Sequence, residues 1–148
     1  MKVAFAGLLA SAALVATPLA ASAQDGPRPY DNGPVWDVAA IQTKPGHFDD
    51  YMRFVDTVWK ARQEALKAKG VVIDYKVLNV QDSRDNEPDL FLMVEYKNMA
   101  AFDVPLDDFD AMAKKEFGSV TASAKAAVDR ETIRTQRGDM ITRELILK

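Results

Sequence analysis

The chain has 148 residues, with 19 Lys and Arg against 22 Asp and Glu, a net charge of −3, one His and no Cys. That length gives one domain with a real core, and the mild acidity argues against nucleic acid as the main partner. Without cysteine there is no disulfide, thiolate nucleophile or Cys-zinc site. With His47 alone, a single chain has no two-histidine metal site.

Residues 1–23 read as a secretory leader. Lys2 supplies the positive start, Val3 to Ala20 form an apolar run interrupted by Pro18, and Ala21-Ser22-Ala23 is a small-residue cleavage site. Cleavage after Ala23 leaves 125 of the 148 residues. The expected product is periplasmic or secreted and has no membrane contact. Residues 24–34, rich in Pro, Gly, Asp and Asn, read as a flexible arm, and 35–148 as the folded domain.

Val35 to Thr43 is bounded by prolines and reads as a strand, with Trp36, Val38 and Ala40 on one face and Val35, Asp37, Ala39 and Ile41 on the other. Pro45 to Gly70 follows as a helix of about six turns. Its apolar stripe is Phe48, Tyr51, Met52, Val55, Val58, Trp59, Ala65 and Leu66, and Arg62 interrupts it. Val71 to Val80 alternates as a second strand, and Gln81 to Pro88 is a polar loop. Asp89 to Lys97 is an inner strand with Leu90, Leu92, Val94 and Tyr96 on one side and Phe91, Met93 and Glu95 on the other. From Asn98 to Arg137 the composition is helical, broken at Val104-Pro105 and near Gly118-Ser119, with Ser119 as an N-cap. Gly138-Asp139 then turns the chain into a last strand, Met140 to Leu147.

The order strand, helix, strand, strand, helix, strand predicts an α+β fold, βαββαβ, with helices on one face of a four-stranded antiparallel sheet. With the more apolar strand sides turned to the helices, the other face carries Val35, Asp37, Ile41, Val72, Asp74, Lys76, Leu78, Phe91, Met93 and Glu95. Such a surface is too apolar to be left in water, and a second copy of the sheet would bury it.

Two segments carry a family resemblance. Thr43-Lys44-Pro45-Gly46-His47-Phe48-Asp49-Asp50-Tyr51 closes the first strand and opens the helix, and Val94-Glu95-Tyr96-Lys97-Asn98-Met99-Ala100-Ala101-Phe102 leaves the third strand. Together they resemble the dimeric α/β-barrel superfamily of ferredoxin-like subunits, which includes antibiotic-biosynthesis monooxygenases, NIPSNAP-like proteins and haem-degrading monooxygenases. The nearest likeness is to uncharacterised exported bacterial members. The resemblance implies a homodimer whose sheets face each other and enclose pockets. The monooxygenase members work without metal or flavin and place Asn, Trp and Tyr near the substrate; Trp36, Tyr75 and Asn79 are of those types. The haem-degrading members use a histidine, which here would have to be His47.

The expected binding residues are Asp37, Asp74, Lys76, Phe91, Met93 and Glu95, lining an apolar pocket for a small apolar or aromatic ligand. Among them a desolvated Asp37 or Glu95 would have the raised pKa that proton abstraction needs. His47 is a third candidate base, because imidazole titrates near neutral pH. There is no phosphate loop, nucleophile elbow or metal-ligand spacing. The expected function is therefore small-molecule binding, with cofactor-independent monooxygenase or isomerase chemistry on an aromatic or quinol-like compound. The alternatives are a non-catalytic binding or interaction module and a haem-binding protein.

Overall fold

The computed structural model describes residues 26–148; the leader reading lies outside them. Strand β1 (Tyr30–Thr43) is followed by helix α1 (Phe48–Phe54), a π-helical segment (Val55–Trp59) and helix α2 (Lys60–Ala68), then β2 (Val72–Asn79) and β3 (Leu90–Tyr96). A 3-10 turn (Met99–Phe102), α3 (Leu106–Phe117), α4 (Val120–Arg130) and β4 (Arg134–Leu147) complete the chain. The sheet order is β2-β3-β1-β4, and every neighbouring pair is antiparallel. This is the ferredoxin-like α+β arrangement expected from the element order. Among the described residues no helix is long and apolar enough to cross a membrane.

The breaks in the second helical region follow local chemistry. Gly118 ends α3 in the left-handed conformation, with φ of 84°, which a residue without Cβ adopts freely. Ser119 then caps α4 by accepting the Ala122 amide at 3.0 Å. At the other end of the sheet, the Asp89 carboxylate accepts the Thr43 amide at 3.1 Å and its hydroxyl as well, fixing the end of β1 to the start of β3.

Three expectations are corrected. The arm is shorter than 24–34, because β1 begins at Tyr30: Tyr30, Asp31 and Asn32 pair with Leu147, Ile146 and Leu145, and a register shift before Val35 accommodates Pro34. The last strand begins at Arg134, ahead of the anticipated turn, and Gly138 lies inside it opposite Ala40; Arg137 is the extra residue of a bulge. The third correction is the parity of β1. Ile41 and Ala39 pack with Tyr51, Val55, Leu90 and Leu92 in the core beneath the helices. The continuous register Val35↔Tyr96, Asp37↔Val94, Ala39↔Leu92, Ile41↔Leu90 therefore turns Asp37 to the helical side, and Trp36, Val38 and Ala40 to the open side.

The helix between β1 and β2 runs unbroken from Phe48 to Ala68, yet its buried face is not the one a uniform helix would give. In an ideal α-helix Val58 lies about 20° from Tyr51 around the axis and Gln63 about 120° away. Within the π segment the Lys60 amide donates to the Val55 carbonyl, five residues back, and the Thr57 hydroxyl donates to the Arg53 carbonyl at 2.7 Å. The wider turn rotates everything after it. Val58 becomes 38 % exposed and Gln63 only 4 % exposed, in line with Tyr51 and Val55 at 2 % each.

The rotated face makes a specific stability prediction. Val55→Ala should cost about 2 kcal/mol through lost burial and a residual cavity, whereas Val58→Ala should stay within about 0.5 kcal/mol, as surface changes do. Urea unfolding of the two variants measures the contrast, and equal losses would contradict the rotation.

Candidate functional site

Turning Asp37 inward makes it the floor of a cavity. A space of about 400 Å³ lies between the sheet and the helical layer. Asp37, Val94 and Tyr96 form its base, Trp59, Arg62, Gln63 and Leu66 one wall, and Phe102, Val104, Phe109 and Met112 the other. The base comes from neighbouring positions of β1 and β3, which share a face by register. The first wall exists because of the π segment, which swings Arg62 and Gln63 toward the sheet. The second wall is the 3-10 turn and α3. There the Asn98 side chain accepts the Ala100 amide at 3.0 Å, and the Phe102 ring packs on Tyr96 with centroids 4.9 Å apart.

The polar groups of this space are few. Burial pushes the Asp37 carboxyl up to about 6; the Asp139 side chain, on β4 and on the same face, adds to the rise as hydrogen-bond partner and as a like charge. A carboxylate between apolar walls loses hydration that its charged form needs. The Tyr96 hydroxyl is raised by burial and by the Asp37 charge, with Arg62 opposing. Arg62 itself donates from Nε to Glu116 of α3 at 2.8 Å, joining the two walls. Gln63 has no partner for its buried Oε1. The arrangement is chemically an apolar, partly aromatic chamber with one proton-accepting group at its base.

The structure separates the residues that the sequence grouped. Of the six expected binding residues only Asp37 reaches the chamber. Phe91, Met93 and Glu95 alternate to the open face opposite Ala40, Val38 and Trp36. Lys76 shares that face, with its ammonium 5.1 Å from the Trp36 ring centroid, while Leu78 pairs with Phe91. Asp74 pairs in register with Glu95, but its carboxylate is bound by Lys67 of α2 at 3.0 Å. Glu95 thus lies on the far side of the sheet from the chamber. His47, before the first turn of α1, holds Asp50 through Nδ1 at 2.8 Å and lines no part of the chamber. Tyr75 packs edge-on against Trp59 with centroids 5.4 Å apart, and Trp36 reaches toward Glu144 on the open face. Among the described residues no group of three His, Asp or Glu is placed to hold a metal ion.

Sequence reasoning missed Gln63 and Asp139. Asp139, next to Gly138, has the composition of a turn, and only the true start of β4 reveals its proximity to Asp37. Gln63 is invisible to a uniform helical period. Asp37 did carry a signal, because it is the single charged residue between Val35, Ala39 and Ile41 at strand spacing.

No protein-family model matches the chain, and no curated protein matches it in sequence. Solved structures do. The chain is similar to HapK from Hahella chejuensis with 13% identity and a TM-score of 0.50, over 74% of this chain and 91% of that one. Protein SO0527 from Shewanella oneidensis aligns at 16% identity and a TM-score of 0.47, over 79% and 96%. A dimeric ferredoxin-like protein from an uncultured marine organism aligns at 13% and 0.49, over 80% and 90%. At such identities the likeness is one of fold, and the chain is a ferredoxin-like α+β protein by its own topology.

Proposed function

We propose that this chain is an exported homodimeric enzyme that abstracts a proton from a small aromatic or quinol-like molecule held between sheet and helices, with Asp37 as the base. The observation that carries the reading is the Asp37 carboxyl, half-buried at the floor of an apolar chamber with its pKa at about 6. At neutral pH such a group is ionised, yet basic enough to accept a proton from an acidic ring C–H. Trp59, Tyr96, Phe102 and Phe109 offer ring faces and edges to a flat substrate. The resulting anion would be reprotonated at another carbon, giving isomerisation, or would add dioxygen as co-substrate to form a peroxide that takes up the proton from Asp37 and loses water to leave a quinone carbonyl, the substrate supplying the electrons without metal or flavin.

The dimer rests on the open face of the sheet. Trp36, Leu78, Phe91, Met93 and Met140 lie there by register around the already buried Val38 and Ala40, with Leu78 and Met140 about half exposed. A second copy of the same face would remove that apolar surface from water. Export rests on the leader pattern of residues 1–23.

Three outcomes test these statements. In deuterium oxide, the protein should accelerate exchange of the ring hydrogens of 1,3-dihydroxynaphthalene, with a rate that rises with pH to a plateau above about 6. Asp37→Asn should lower that acceleration by about 100-fold or more, and equal rates would remove Asp37 as the base. Asp37 should also leave a mark on stability. Its folded-state pKa of about 6 lies above the ordinary 3.8, so between those values the folded chain keeps a proton that the unfolded chain has lost. Stability from this group falls as pH rises through the window. Urea unfolding should find Asp37→Asn more stable than wild type by about 1 kcal/mol at pH 8, after allowance for solvent screening, and unchanged at pH 3.5. Finally, native mass spectrometry should find twice the chain mass for the wild type and a single chain for Met93→Asp with its circular dichroism preserved; a monomeric wild type removes the dimer.

A further inference from the structure

Gln63 is an anomaly in the helical wall. It is a polar side chain 96 % buried, it lines the chamber, and its Oε1 has no hydrogen-bond partner within the protein. Leaving a buried amide oxygen unpaired is unfavourable, and native interiors retain such atoms rarely. A uniform helix would have spared the protein this cost by turning Gln63 away from the sheet. The π segment instead rotates it inward, and such wide turns recur at functional sites.

Resting on the reading of the chamber as a substrate site, we propose that Gln63 is its specificity-determining residue, reading a hydroxyl group on an aromatic substrate. A terminal amide without protein partners turns about its last bond to present either an acceptor oxygen or a donor NH₂ to the chamber. A phenolic hydroxyl is both donor and acceptor, so it satisfies the amide in either orientation. An aryl ether of the same skeleton has no proton to give and leaves Oε1 unpaired. Leu66, Val94, Phe102, Phe109 and Met112 provide contact area without reading polar groups. Trp59 and Tyr96 also bring an indole N–H and a hydroxyl to the space, but both are only partly buried, whereas Gln63 is 4 % exposed with an unpaired acceptor; Arg62 is engaged through Nε with Glu116. Gln63 is the lining side chain that is both fully buried and left with an unpaired acceptor, so discrimination between hydroxylated and capped aromatic molecules is assigned to it, separately from the ring C–H proton transfer assigned to Asp37.

The test uses 2-naphthol and 2-methoxynaphthalene as probes, titrated calorimetrically into wild type, Gln63→Leu and Asp37→Asn. Wild type should bind 2-naphthol about tenfold or more tightly than the ether, the scale set by an unpaired buried polar group. Gln63→Leu should bind the two probes within about twofold of each other and melt no lower than wild type, since it no longer buries an unpaired oxygen. Asp37→Asn should keep the wild-type preference. Gln63→Met, unbranched and close in length, provides the same readout if the leucine variant does not fold. A preference that survives both apolar replacements, or one that vanishes in Asp37→Asn, overturns the role of Gln63 and leaves the chamber as a ligand site. Binding of neither probe to wild type overturns the chamber reading along with it.

Discussion

The strict alternation of the central strand is the constraint on which the rest of this molecule depends. Val35 and Ile41 are among the most buried residues of the chain, and β1 stays in unbroken register with β3 between them. A strand that buries both ends on one face must turn every second residue to that face. Asp37 is thereby carried under the helices with them. The apolar burial of its neighbours offsets the desolvation of its carboxyl, and the raised pKa is the residue of that competition. A single-residue slip would return Asp37 to the open side and put Trp36 in the core.

The helix answers the strand with a compensating irregularity. Tyr51 and Val55 anchor its first half over Ile41 and Leu90. Had the second half continued with uniform pitch, Val58 would have continued that stripe. The wide turn instead brings Trp59, Gln63 and Leu66 over the sheet and tilts Arg62 toward α3. A continuous apolar seam has been exchanged for a largely apolar chamber that admits a few polar groups. Both irregular features, the carboxyl in the sheet and the π segment in the helix, converge on that one space.

Much of the architecture was legible in the sequence because its signals were local. The alternation of Leu90, Leu92, Val94 and Tyr96, the punctuation at Pro105 and Gly118, and the Ser119 cap each describe a segment by itself, and all were found as expected. The site was less legible because its signals are relational. Both faces of β1 are largely apolar, so its parity is fixed by what the helix buries and not by its own pattern. The bulge at Arg137 hid the first half of β4, and with it the pairing of Asp139 beside Asp37. No propensity scale announces a π segment in Val55–Trp59. The sheet therefore divides between its two sides six residues that the strand pattern alone assigns to one face.

The outer wall of the chamber differs from the inner one in how firmly it is held. Neither α3 nor α4 contains a buried residue, whereas α1 contributes Tyr51 and the π segment Val55 to the core. Regions with little buried apolar surface open at the lowest free-energy cost. The Arg62–Glu116 pair fastens α3 to α2 across the chamber, and a partly exposed ion pair is a weak tie that salt loosens further. Entry to the interior therefore needs no disturbance of the sheet. The firmly packed and the weakly tied halves of the helical layer thus stand side by side over one sheet, α1 and the π segment on one flank and α3 on the other.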